Sequence, residues 1–272
     1  MTEQWLQEAA EHFTRSWSER RGIEHIDRNA EVILVRVPLN ELSDALAARA
    51  IASHRNVMGA EIEVSSASVL AYQLVGQRWS IMIGVQNWGS HGLSVLQPNG
   101  LAQISRDLKQ PVIRLFVSDG CGHIGYDLFE DGELVEYFHG AEENLSTDSN
   151  KHSIQPKRYE LFRSPNELEE GQDPNEPKQI AFFWSRRRQV VAEDIESIWS
   201  FAGQLLHEYD AFDPAIDEKY LLGYPSRLEA GKRYRVQNPG FTLVLGHDPT
   251  GRKREVTSVP DLVGVDYFSF EM

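Results

Sequence analysis

Between Leu115 and Asn150 the chain carries nine carboxylates and no lysine or arginine. Five of them, Asp127, Glu130, Asp131, Glu133 and Glu136, lie close together in sequence. Carboxylates at this density could hold a cation, divide the roles of acid and base, or create a negative field that selects partners by sign. Two residues apart in the same window stand Cys121 and His123, a conceivable thiolate–imidazole couple. A second group of reactive or stacking side chains, Trp88, Ser90 and His91, sits in a glycine-containing segment over 87–92.

Each pattern that would commit these residues to a reaction fails on a stated requirement. Asp119 and Glu130 have the spacing of a calcium loop, but Cys121, His123 and Ile124 stand where oxygen ligands and a glycine are needed. One cysteine and nine scattered histidines form no zinc cluster. His207 and Glu208 are not followed by the second histidine of a helical zinc motif, because Ala211 occupies that place. Gly120, Gly122 and Gly125 match a dinucleotide fingerprint, yet the residues from Tyr126 to Asp131 read as a strand where that motif requires a helix. The same glycines over a nucleotide would need a nearby lysine, which the window lacks. Ser90 is no nucleophile elbow, since Trp88 fills the first glycine position. Acidic surroundings also oppose the thiolate that a catalytic Cys121 would need. No cofactor and no metal is implied. Arg186, Arg187 and Arg188 precede a carboxylate-rich segment and read as local charge balance rather than a phosphate grip.

A formal net charge of −14 disfavours nucleic acid, whose phosphates call for a basic surface. No apolar run reaches the roughly 18 residues of a membrane helix, and the start of the chain lacks the basic and apolar stretches of a signal peptide. A single cysteine makes no internal disulfide, which fits a reducing compartment and a cytoplasmic location.

These residues must be held by elements, and the pattern points to an α+β protein: predominantly antiparallel sheet with three or four amphipathic helices. Trp5, Leu6, Ala9, Phe13 and Trp17 recur at helical spacing. A β-branched run over 31–37 stops at Pro38, and a helix with Leu42, Leu46 and Ala50 on one face is expected from Asn40 to about Arg55. Apolar arms over 70–75 and 79–85 flank Gly76 and Gln77 as a hairpin, and a short helix starting near Asn99 carries Leu101, Ile104, Ser105 and Leu108. Strands are expected over 111–117, 158–162, 179–184, 233–237, 241–246, 255–259 and 263–270. A long helix with Val191, Ile195, Ile198, Ala202, Leu205 and Tyr209 on one stripe follows the strand over 179–184. Two regions, 1–150 and 151–272, are expected either as separate units or as one continuous domain.

Asp131-Gly132 is a strong two-residue hairpin turn. Regular pairing from that turn sets Phe129 opposite Leu134, Leu128 opposite Val135, Asp127 opposite Glu136 and Tyr126 opposite Tyr137. Two carboxylates directly opposite one another destabilise a sheet by up to about 1 kcal/mol, so Asp127 and Glu136 need an offsetting cation. Arg114 on the preceding strand is the nearest in sequence; a basic partner is the functional alternative.

The leading expectation is therefore a non-enzymatic binding protein whose acidic hairpin face, Asp127, Glu130, Asp131, Glu133 and Glu136, meets a basic macromolecular partner, as an inhibitor or immunity protein would. The alternative is an enzyme or small-ligand protein with a site built from the loops over 87–92 and 119–125, using Trp88, Ser90, His91, Cys121 and His123.

Overall fold

The computed structural model describes residues 30–84, 96, 99–118, 122–142, 154–163, 165–168, 170–211, 231–237, 240–243 and 262–271. Thirteen strands are present among these residues. They are β1 (Ala30–Val35), β2 (Ala52–His54), β3 (Glu61–Glu63), β4 (Ser68–Leu74), β5 (Ser80–Gly84), β6 (Val112–Ser118) and β7 (His123–Glu130), followed by β8 (Glu133–Ala141), β9 (Lys157–Leu161), β10 (Gln179–Ser185), β11 (Arg233–Gln237), β12 (Gly240–Leu243) and β13 (Leu262–Ser269). Three α-helices accompany them: α1 (Leu39–Ala47), α2 (Asn99–Leu108) and α3 (Ile198–Glu208). The architecture is α+β with one large antiparallel sheet and few helices.

Ten strands form that sheet in the order β2-β13-β4-β5-β1-β6-β7-β8-β10-β9, and β12-β11-β3 form a second, small one. Every described pairing is antiparallel. Strands from both sides of residue 150 are hydrogen-bonded into the same sheet, so a division there would cut through it.

Helices α1 and α2 cover one face, where Ile33, Val69, Ala71, Met82, Val112 and Phe129 meet Leu42, Leu46, Leu101 and Ile104. Helix α3 and the small sheet cover the other, where Leu34, Leu70, Tyr72, Ile113, Tyr126 and Phe138 meet Phe201, Leu205, Tyr234 and Val236. Being covered on both sides explains why β4 and β5 are buried at every position and read as continuous apolar runs instead of alternating ones.

Helix α1 stops eight residues short of the expected Arg55. Residues 52–54 instead pair with β13, and the side chain of Asp266 on β13 fixes that turn. It accepts from Ser43 Oγ at 2.7 Å, Arg55 Nη1 at 3.2 Å and the Asn56 amide at 2.7 Å. At the other end of α1 no side chain of its own caps the helix; Gln73 Oε1 on β4 accepts the Leu39 amide instead. The expected long helix over 191–209 is divided. A short 3-10 turn (Ala192–Asp194) comes first, and α3 begins only at Ile198. The amphipathic segment Trp5–Trp17 and the strand expected over 255–259 lie outside the described residues.

Candidate functional site

The hairpin of β7 and β8 closes at Asp131 and Gly132, both with positive φ (50° and 83°), as an Asp-Gly turn favours. Pairing is regular only for its first steps. Phe129 faces Leu134, but Leu128 faces Glu136, Asp127 faces Tyr137 and Tyr126 faces Phe138. Val135 is an extra residue, a β-bulge, and every partner beyond it shifts by one. The expected opposition of Asp127 and Glu136 is corrected accordingly, and so are those of Leu128 with Val135 and of Tyr126 with Tyr137. Because a one-residue shift exchanges faces, Asp127 points toward the α1–α2 side and Glu136 toward the α3 side. The Val135 carbonyl left over by the bulge accepts the Arg186 amide at 2.9 Å.

Each separated carboxylate meets its own arginine. Arg114 on β6 stands directly opposite Asp127, and its Nη1 donates to Asp127 Oδ2 at 2.7 Å. The same guanidinium pairs with Glu31 on β1. Burial opposes the charge on Arg114, but Asp127 and Glu31 outweigh it and raise its pKa above the ordinary value. Asp127 is 1% exposed, and its Oδ1 has no hydrogen-bond partner.

Glu136, fully buried, is satisfied at both oxygens. Arg188 reaches it through Nε at 3.1 Å and Nη2 at 2.8 Å, a two-pronged grip. Tyr126 OH donates at 2.9 Å and Ser185 Oγ at 2.7 Å. Arg188 also bonds Glu208 on α3 at 2.8 Å and lies over the Phe201 ring at 5.2 Å. Burial, and then the Glu136 charge, push the Tyr126 hydroxyl well above its ordinary pKa. Arg114 thus neutralises one member of the expected pair only; Glu136 is neutralised from 52 residues away in sequence.

Two of the other hairpin carboxylates are also engaged. Glu130 accepts from Tyr209 OH, and Glu133 pairs with Arg186 at the surface. Asp131 is exposed at the turn. Arg106 on α2 reaches the Gly132 carbonyl at 3.4 Å, so cations flank the tip from both sides. Asp127 and Glu136 therefore cannot present charge to a partner, and the face is not the uncompensated anionic panel that the local sequence implies. Arginines distant in sequence supply the cations its own window lacks.

At the opposite end of these strands lies a different cluster. His123 opens β7, and its ring meets Phe116 on β6 at 5.2 Å and His139 on β8 at 5.2 Å, both edge-on. His139 stacks on Tyr137 at 4.5 Å. Gly125 makes this possible: a Cβ there would sit 2.1 Å from Phe116 Cζ and 2.7 Å from His139 Cδ2. Burial lowers the His123 pKa from 6.5 and keeps its imidazole neutral near pH 7. His123 Nε2 is buried without a hydrogen-bond partner.

Of the loop residues singled out from sequence, His123 is described; Trp88, Ser90, His91 and Cys121 lie outside the described residues. Sheet order relates the strands that precede them: Glu31 faces Phe116, Phe116 faces Gly125, and β5 and β6 end at the same end of the sheet with only β1 between them. Sequence reasoning missed His139, Phe116 and Tyr137. Assigning Tyr137 and His139 to this face required the register beyond Val135.

Among the described residues no group of three or more His, Cys, Asp or Glu is arranged to hold a metal ion, and no helix is long and apolar enough to cross a membrane. Comparison of the chain with protein-family models, curated proteins and solved structures gives no match.

Proposed function

We propose that this protein works by binding a small ligand at the end of the large sheet where β5 and β6 terminate. The observation that supports this reading is the cluster of the Phe116, His123 and His139 rings at the end of the sheet where β5 and β6 terminate. All three rings are partly exposed. A neutral imidazole gives or takes a hydrogen bond without bringing charge, and partly exposed rings offer faces for stacking. Trp88, Ser90, His91, Cys121 and His123 are the residues of this reading, and no reaction is assigned to them. The rival, capture of a basic macromolecule by the hairpin, would fall to Asp131 and Glu133 at the exposed tip.

Native mass spectrometry of the freshly purified protein, paired with NMR of its histidine side chains, separates the two. A retained small molecule is expected, its removal should move the imidazole signals of His123 and His139, and His123→Ala should abolish retention. If no small molecule is retained and none from a metabolite mixture moves those signals, while polylysine shifts the amides of Asp131 and Glu133, the proposal is overturned in favour of the hairpin.

A further inference from the structure

Strand β9 ends the ten-stranded order: β10 pairs with it on one side, and no strand among the described residues pairs with it on the other. An open edge is a template for another strand, and proteins usually blunt it with charge. β9 reads Lys157, Arg158, Tyr159, Glu160 and Leu161, with Tyr159 and Leu161 turned inward and Arg158 and Glu160 exposed on the opposite face. Arg158 and Glu160 already form an ion pair within the strand.

We infer that β9 is a self-pairing edge on which a second copy of this chain docks, antiparallel, about a twofold axis through Tyr159. In that register residue 158 of each copy lies opposite residue 160 of the other. Arg158 meets Glu160 of the partner subunit on both sides of the axis, and four charges alternate in sign around a square. Opposite charges directly across a strand pair are favourable and like charges are not. Slipping by two residues sets Arg158 against its own copy or Glu160 against its own, and parallel in-register pairing does both. The order of charges therefore selects one register of self-association and disfavours its neighbours. Two exposed apolar side chains flank the edge: Phe162 (49% exposed), which directly follows β9, and Val191 (53%), which leads into the 3-10 turn packed beside it. Docking would shield them. The contact is small, so the dimer should be weak, dissociating in the range of about 10–100 µM.

Sedimentation velocity over a concentration series tests this. The wild-type chain should pass from monomer to dimer. Arg158→Glu and Glu160→Arg should each weaken association at least tenfold, while circular dichroism and thermal melting report an unchanged fold, since both side chains are exposed. An equimolar mixture of the two variants should dimerise again, as should the doubly swapped R158E/E160R chain. A wild type that stays monomeric at several hundred micromolar overturns the inference. So does a dimer that both single variants form as tightly as wild type, or single variants whose mixture fails to associate.

Discussion

The two arginine–carboxylate centres on opposite faces of the β7–β8 hairpin solve the same problem to different degrees. Glu136 lies wholly inside and has four donors on its two oxygens. Asp127 lies almost as deep, yet one oxygen goes unpaired, and its arginine is divided with Glu31. Arg114 arrives from the adjacent strand in direct register, whereas Arg188 arrives on the loop after β10 and ties in α3 through Glu208. A buried carboxylate that loses its cation is costly at either centre, but loss of Arg188 also releases Glu208 and the Phe201 ring. The Glu136 centre should therefore behave as a structural keystone and the Asp127 centre as a local repair.

The largest effect should come from Arg188→Ala, about 3–5 kcal/mol in chemical denaturation, because it strands a buried carboxylate and unties α3. Replacing both partners, Glu136→Leu with Arg188→Met, should recover most of that loss. Arg114→Ala also strands a buried carboxylate but releases no helix, so it should cost somewhat less, about 3 kcal/mol. If Arg114→Ala proves the more damaging of the two, the ranking is wrong. At the surface, Arg186→Ala should change stability by about 0.5 kcal/mol or less, because the exposed Glu133 pair is screened by water.

The His123 cluster adds a pH dependence near neutrality. Its folded pKa is depressed below 6.5, so between that lowered value and 6.5 the unfolded chain binds more protons. The stability contributed by the neutral ring is complete above 6.5 and is lost as pH falls through this window. Denaturation midpoints should therefore decline on mild acidification, and His123→Gln should flatten that decline. An unchanged slope would remove His123 as its source.

Much of the scaffold was readable beforehand. The strand over 233–237 and the helix from Asn99 to Leu108 were anticipated closely, because a β-rich run and an amphipathic stripe are local signals. Asp131-Gly132 announced its turn for the same reason. What escaped was non-local. Nothing in Leu134-Val135-Glu136 marks an extra residue, yet that residue decides which face every later side chain occupies. The cation-free window looked anionic because its neutralising arginines, Arg106, Arg114, Arg186 and Arg188, all lie outside it. Ala52–His54 was lost to an over-extended helix, since no glycine marks the end of α1 and only pairing with β13 makes a strand of it.

Strand β13 lies between β2 and β4, although some 190 residues separate it from β4 in sequence. A nascent chain carrying β1 to β8 would thus hold a gap near one edge of its sheet, with the flank of β4 bare until residues 262–269 have emerged from the ribosome. Closing so long a loop makes late assembly slow, and during that wait β4 is the natural place for a chaperone to grip or for two unfinished chains to stick together.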